Sequence, residues 1–347
     1  NIILLKKKQP DKKHKIRFIN VKNELVDTNI ISSIGENKQT ILQEKLNNNT
    51  WTLADEDVLA LKEKIEKTGI PLKNWDVRIY FGIKTGFNEA FIINTETKEK
   101  LCKEDPKSIE ILKPILRGRD IGKYYYKWAG LWIIKIESGW TNKNREKVKP
   151  LEFFKNKYPA IYNYLISFKD FKGKGKGLIN RDDQGDYWWE LRDCDYYDEF
   201  QKEKIVWAEI VREPSFAYDT KNIYCEATTF LMTGKDLKYL VAILNSKPVT
   251  FFFKQFYAGG GLGERGYRYK KAFIEQLPIP VISKEDQQPF IDLVDKILAI
   301  TKDDDYPENP EKQSKVKELE TQIDQLVYKL YGLTEEEITI VEEKING

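Results

Sequence analysis

Histidine is almost missing from this chain: His14 stands alone, inside the lysine run KKHK. That excludes His-based catalytic triads and histidine-rich metal sites, and no metal is expected in the chain. Cysteine is nearly as scarce. Cys102, Cys194 and Cys225 are an odd, scattered set without metal-ligand spacing, so reduced thiols in a cytoplasmic protein are expected. No apolar run approaches the roughly 20 residues that cross a bilayer, and the opening NIILL is too short for a signal peptide. Methionine occurs once, as Met232, so residue 1 is not an initiator. The chain reads as the C-terminal part of a longer polypeptide.

Aromatic and charged residues are plentiful instead. The 347 residues are 41 % hydrophobic, enough for a sizeable core and for about two domains. The net charge of +3 hides an uneven distribution. Residues 283–347 hold 8 Lys against 17 Asp and Glu, while the remaining 282 residues hold 50 Lys and Arg against 38 acids. A basic body with an acidic tail fits a polyanionic partner for the body, with the tail turned elsewhere.

Three regions separate. Residues 1–50 read as two strands around the basic turn KKKQPDKKHK, followed by a polar linker. Residues 51–282 open with a helix over 52–68, carrying a Thr52/Asp55 capping box and an apolar face of Val58, Leu61 and Ile65. Strand signals then dominate, in IYFGIKTG, EAFII, LWIIKI, KIVWAEIV and YCEATTFLM. The pair Trp188–Trp189 reads as strand too, one ring in the core and the other covering an edge. LKYLVAILNS has its apolar residues at 237, 240, 241 and 244, the period of a helix face. Because strands and helices do not alternate regularly, the expected fold is α+β, mixed and strand-rich. Residues 283–347 form an α-helical hairpin. One apolar stripe is Phe290, Leu293, Val294, Ile297 and Leu298; the other is Val316, Leu319, Ile323, Leu326, Val327 and Leu330. The acidic turn DDDYPENPE joins them, and Thr334 with Glu337 caps a third helix.

Two loops are rich in glycine. The first contains GLGERG, residues 261–266, which fits the G-x-G-x-x-G spacing of dinucleotide sites. That fingerprint needs a strand before it and an apolar-faced helix after it, and GYRYKK supplies neither. What remains is a loop leading into Arg265, Tyr267, Arg268, Lys270 and Lys271, suited to phosphates or guanine edges. The second, FKDFKGKGKGLINR, sets Lys172, Lys174 and Lys176 between glycines and ends in Arg181, which with Arg265 and Arg268 is a candidate for bidentate guanine contact. Three lysines on a glycine backbone suit counterion-releasing contact with phosphates, and a solvated loop is the bland alternative. Arg117 and Arg119 form a third basic point in ILRGRD, where Asp120 is placed to pair with one of them. Lys84, Thr85 and Asn88 sit on the tight turn KTGFN, within reach of base edges.

Complete catalytic constellations are absent. Prolines are never adjacent, so there is no N-P-P-Y motif, and the methyl-donor loop F-x-G-x-G does not occur. Asp11, Glu36 and Lys38 fit the loose P-D…E-x-K pattern of nucleases, a pattern that arises easily in a chain rich in Glu and Lys. A module for helix pairing through residues 290–330 is the other alternative.

The blocks IYFGIKTGFNEAFII (79–93), ILKPILRGRDIGKYYYKWAGLWII (111–134) and DYWWELRDCDYYDEFQKEKIVWAEI (186–210) resemble the C-terminal specificity domain of adenine-N6 DNA methyltransferases and type IIG restriction-modification enzymes. The resemblance runs on through EATTFLMTG, the glycine loop with RYKKAFIEQLPIP, and LVYKLYGLTEEEITIV, over roughly residues 75–341. It implies target recognition on double-stranded DNA, with an adenine presented for flipping into a neighbouring catalytic domain. It also implies that the missing N-terminal part holds S-adenosyl-methionine, with Mg if that part cleaves. On this likeness the opening strands resemble the last hairpin of a methyltransferase fold. The helical hairpin is similar to the spacer helices of type I specificity subunits.

Overall fold

The computed structural model describes residues 13–18, 39–45, 56–169 and 177–346, with isolated positions 8, 11 and 54. In chain order the strands of its two larger sheets are β1 (Val77–Phe81), β2 (Ile92–Asn94), β3 (Leu112–Leu116), β4 (Leu131–Ile134), β5 (Lys204–Ala208), β6 (Ala217–Asp219), β7 (Tyr224–Cys225) and β8 (Thr229–Gly234). The first sheet runs β6–β5–β8–β1 and is antiparallel throughout. The second runs β7–β3–β4–β2, with β7 and β3 parallel.

The first sheet is a partition. Successive side chains of a strand point to opposite faces, and here both faces are dry. Ile79, Ile205, Trp207, Phe230 and Met232 enter one core; Val206, Ala217 and Leu231 enter the other. Every residue of β5 is therefore buried, which is why IVWA, after Lys204, reads as an unbroken apolar run.

Helices cover the first face: α1 (Glu56–Thr68), α2 (Leu237–Asn245), α3 (Lys284–Thr301) and α4 (Pro310–Leu330) all place side chains in its core. The sequence shows one apolar face on α2, yet nearly the whole helix is buried, because it lies between the sheet and α3. The helical hairpin thus packs on its own chain. The capping box of the last helix, α5 (Glu335–Asn346), is present: Thr334 Oγ1 accepts from the Glu337 N–H at 3.3 Å, and Glu337 Oε2 accepts from the Thr334 N–H at 2.8 Å. The second core is filled by the second sheet with Phe154, Ile161 and Leu165 from two short helices. The result is an α+β fold. Among the described residues no helix is long and apolar enough to cross a membrane.

Three local expectations are corrected. Lys15–Phe18 pairs with Gln39–Leu42, inside the stretch read as linker, and this ladder packs on Val58 and Leu59 of α1. The Thr52/Asp55 cap lies outside the described residues. Asn88–Phe91 of EAFII is a single helical turn before β2. Trp188 and Trp189 lie in a turn, not a strand. Trp189 is buried between the rings of Phe154 and Tyr187, at 5.1 and 4.8 Å, and donates to Thr141 Oγ1.

The partition carries one buried charge pair. Lys204 and Asp219 face each other across β5 and β6, fully buried and bonded to one another. Asp219 also accepts from the Tyr126 hydroxyl at 2.6 Å and the Lys221 N–H at 2.9 Å; Lys204 also donates to the Phe200 carbonyl at 2.8 Å. Removing one partner leaves an uncompensated interior charge, whereas an apolar pair does not. Lys204→Met should therefore lower the unfolding free energy by about 3–5 kcal/mol. Adding Asp219→Leu should recover much of it, as read by urea denaturation; a double variant less stable than the single would contradict this role.

Candidate nucleic-acid interface

Five turns converge at one end of the partition. β1 leaves through Gly82, whose N–H donates to the Thr229 carbonyl at 2.9 Å. A side chain at Gly82 would meet the Glu226 carbonyl oxygen at 1.9 Å, so only glycine allows the strand to exit this way. The next N–H, of Ile83, donates to the Cys225 carbonyl at 2.7 Å, tying the KTGFN turn to the end of β7. β3 runs into Arg117, and the Gly118 N–H donates to Thr228 Oγ1 at 3.3 Å. β5 ends at Glu209, whose N–H donates to the Thr228 carbonyl at 2.9 Å. The short strand Ile210–Val211 then pairs with Tyr267–Arg268, which brings the glycine loop to the same rim. The rim encloses a cavity of about 810 Å³, lined among others by Asn88, Glu89, Arg117, Arg119, Glu209 and Glu226.

The candidate residues divide by what surrounds them. The side chains of Lys84, Arg119, Arg265 and Arg268 are exposed and have no hydrogen-bond or ion-pair partner among the described residues. Arg117 is committed to Asp120, its Nε donating to Oδ2 at 3.0 Å and its Nη2 to Oδ1 at 2.7 Å, so the carboxylate that the sequence offered takes this arginine and leaves Arg119 free. Lys270 stands 3.8 Å from Glu209, and Lys271 is 3.6 Å from Glu275. Tyr267 is half-buried, with the Lys254 ammonium over its ring at 5.4 Å. Asn88 is exposed but already bonded: its Nδ2 donates to Glu226 Oε1 at 3.1 Å. Lys172, Lys174 and Lys176 lie outside the described residues. The described residues on either side of them do contact the KTGFN turn, Phe168 through the Phe87 ring at 6.2 Å and Arg181 through the Thr85 carbonyl.

Two assignments need correction. Thr85 is 1 % exposed; its hydroxyl donates to Asn88 Oδ1 at 2.5 Å and accepts from the Phe87 N–H at 3.1 Å, so it shapes the turn and offers nothing outward. Arg181 was a candidate for guanine, yet it is 3 % exposed. Its guanidinium donates to the carbonyls of Thr85, Leu178, Asp183, Trp188 and Glu190 and lies over the Phe91 ring at 4.5 Å. Burial pulls its pKa down to about 10, which keeps it cationic at neutral pH. It is a clamp that fixes the 178–190 loop against the KTGFN turn.

GLGERG has an answer in the same geometry. It follows a π-helical turn, Phe253–Tyr257, and precedes a two-residue strand, so no βαβ unit surrounds it. Gly266, at φ 92°, lies so close to the strand Ile210–Val211 that a Cβ would sit 2.3 Å from the Val211 oxygen. Gly260 and Gly263 also have positive φ, but open space around them. One glycine serves the chain's own backbone; the others leave the loop's outer face unobstructed.

Sequence reasoning missed the acids. Glu209 and Glu226 line the cavity between the cations, and the only signal was their position at strand ends, in WAEIV and YCEATT. As for the nuclease pattern, Asp11 is exposed, while Glu36 and Lys38 lie outside the described residues. No group of three or more metal-ligating side chains occurs among the described residues.

The clamp and the rim predict opposite effects. Arg181→Met strips the cation from its buried carbonyls and should cost about 3–5 kcal/mol of stability. Arg119→Ala, exposed and unpaired, should change it by less than about 0.5 kcal/mol. Urea denaturation of both variants checks this, and an Arg181→Met protein as stable as the parent would rule out the clamp.

Residues 113–279, which run from β3 through the glycine loop, match the family described as the TaqI-like C-terminal specificity domain. The type II methyltransferase M.MjaIV of Methanocaldococcus jannaschii is 27 % identical over 249 residues, covering 68 % of this chain and 76 % of that protein. Two solved structures are similar. One is the type IIL restriction-modification enzyme MmeI in complex with DNA, at TM-score 0.51 and 12 % identity, covering 76 % of this chain and 34 % of that one. The other is the type IIG restriction endonuclease BpuSI, at TM-score 0.43 and 16 % identity, covering 89 % and 37 %. The chain spans little more than a third of the length of either, and the likeness to MmeI is one of fold. The stretch from β3 through the glycine loop, just under half of the chain, is thus similar to the TaqI-like C-terminal specificity domain.

Proposed function

We propose that this chain reads a short sequence in double-stranded DNA for an adenine-N6 methyltransferase, and that the rim at the end of the central sheet is the reading surface. The observation that carries this is that Lys84, Arg119, Arg265 and Arg268, their side chains exposed and unpaired among the described residues, stand on the turns that meet at this rim, where Arg119 lines a cavity that also presents carboxylates. Phosphate contact needs cations free to release counterions. Base discrimination needs donors and acceptors together: a carboxylate accepts from cytosine N4, an amide pairs with adenine, and an arginine meets guanine O6 and N7. Glu226 and Arg119, which line the same cavity, supply an acceptor and an arginine, while the Asn88 amide, bonded to Thr85 and Glu226, holds the carboxylate in place. The specificity-domain family supports this reading, and so does MmeI, which was solved in complex with DNA.

On this reading catalysis belongs to a methyltransferase domain of the same polypeptide. That domain holds S-adenosyl-methionine, and Mg where cleavage accompanies methylation. This chain positions the DNA and performs no chemistry of its own. Lys172, Lys174 and Lys176 contact the phosphate backbone on this reading, while the acidic helices of residues 283–347 face away from the polyanion. On the same reading the protein acts in the cytoplasm.

Fluorescence anisotropy on a random-sequence duplex pool across a salt series tests this. Affinity should fall steeply with salt, selection should enrich one motif, Lys84→Ala should reduce the salt slope by about 1, and Arg119→Ala should relax the preference at one position of the motif. Absent or salt-insensitive binding would overturn the proposal.

A further inference from the structure

An aromatic row crosses the partition and ends in the open. Trp207, Phe230 and Phe81 are cross-strand neighbours on β5, β8 and β1. The Trp207 and Phe230 rings stack at 5.6 Å and 13°, and Phe230 meets Phe81 at 4.8 Å. Trp207 is locked from behind by Phe216 at 5.3 Å and by its indole N–H, which donates to the Tyr269 carbonyl at 2.8 Å. Trp207 and Phe230 are 1 % exposed, but Phe81 is 51 % exposed. It is the last residue of an edge strand, directly before Gly82, on the helical side of the rim that the cations occupy.

An open phenyl ring is usually mobile. This one is seated on a buried stack, so its orientation is set before any ligand arrives, and covering it costs little side-chain entropy. Its surroundings point to the ligand: Lys84 lies three residues on, exposed and unpaired among the described residues, and Glu226, a cavity wall, lies against Gly82. A ring three residues from a free cation suits a partner with both a π face and a negative backbone. A nucleobase with its phosphate has both, and aromatic side chains bind unstacked bases largely regardless of sequence.

We propose that Phe81 is the platform on which one unstacked base of the bound duplex rests, at the helical side of the reading rim. This rests on the DNA-reading proposal above and adds to it a deformation of the duplex at one step. Stacking also makes the site sensitive to how easily that step opens, so specificity arises at a position that no hydrogen bond reads.

The test uses the 347-residue chain, the duplex selected from the random pool, and the variants Phe81→Leu and Phe81→Trp. Leucine keeps the apolar contact and loses the π face, so it should bind about ten-fold more weakly or worse. Tryptophan should bind as well as the parent. Neither should alter thermal unfolding or the salt slope, because no phosphate contact is removed. An abasic site is then moved through the duplex. At one position it should weaken the parent and leave Phe81→Leu nearly unaffected, since both changes remove the same contact. Leucine binding equal to the parent, or additive losses at every abasic position, would overturn the platform while leaving DNA reading intact. A parent chain that binds no duplex would overturn both.

Discussion

The structure depends on one constraint: the four-stranded sheet β6–β5–β8–β1 is buried on both faces. A sheet with one wet face exposes alternate side chains, but here β5 is buried along its whole length and β8 as far as Thr233. The charge that Lys204 brings into this interior must be matched by Asp219 directly opposite. Two-sided burial also decides where function can lie. With helices on one face and the second sheet on the other, only the ends of the strands remain open. The turns at one of those ends carry the charged residues.

The rim is rigid for the same reason. Gly82 and Gly266 are places where backbone lies against backbone, and Arg181 holds the 178–190 loop to the KTGFN turn through carbonyls alone. The charges left over are those the fold does not use: Arg119 is free because Arg117 takes Asp120. A surface meant for a polyanion needs such spare cations, and it needs them on a frame that does not rearrange when they are neutralised.

Much of the fold was legible in the sequence. The stripes of Phe290, Leu293, Val294 and Ile297 and of Val316, Ile323 and Val327 give the hairpin, because helical period alone determines which side chains share a face. The glycine loop could be separated from a dinucleotide site because that chemistry requires flanking elements the sequence does not have. The functional residues were legible by type and not by fate. Lys204 in QKEKIVW and Arg181 in INRDDQG look like any solvated cation, and each is buried. Their burial is dictated by which distant carbonyls and carboxylates the chain brings to them, Asp219 in one case and Thr85 in the other, and no local pattern encodes that. Glu209 and Glu226 escaped notice for the converse reason: in a chain rich in acids, nothing marked the two that strand pairing would bring to one cavity.

The central claim is that the end of this sheet, and not the helical hairpin, meets DNA. Amide hydrogen exchange of the chain with and without its selected duplex tests it directly. Added protection is expected at residues 83–89, 117–120, 208–211, 226–229 and 265–271. Protection confined to the helices over residues 290–330, with the rim unchanged, would contradict the account.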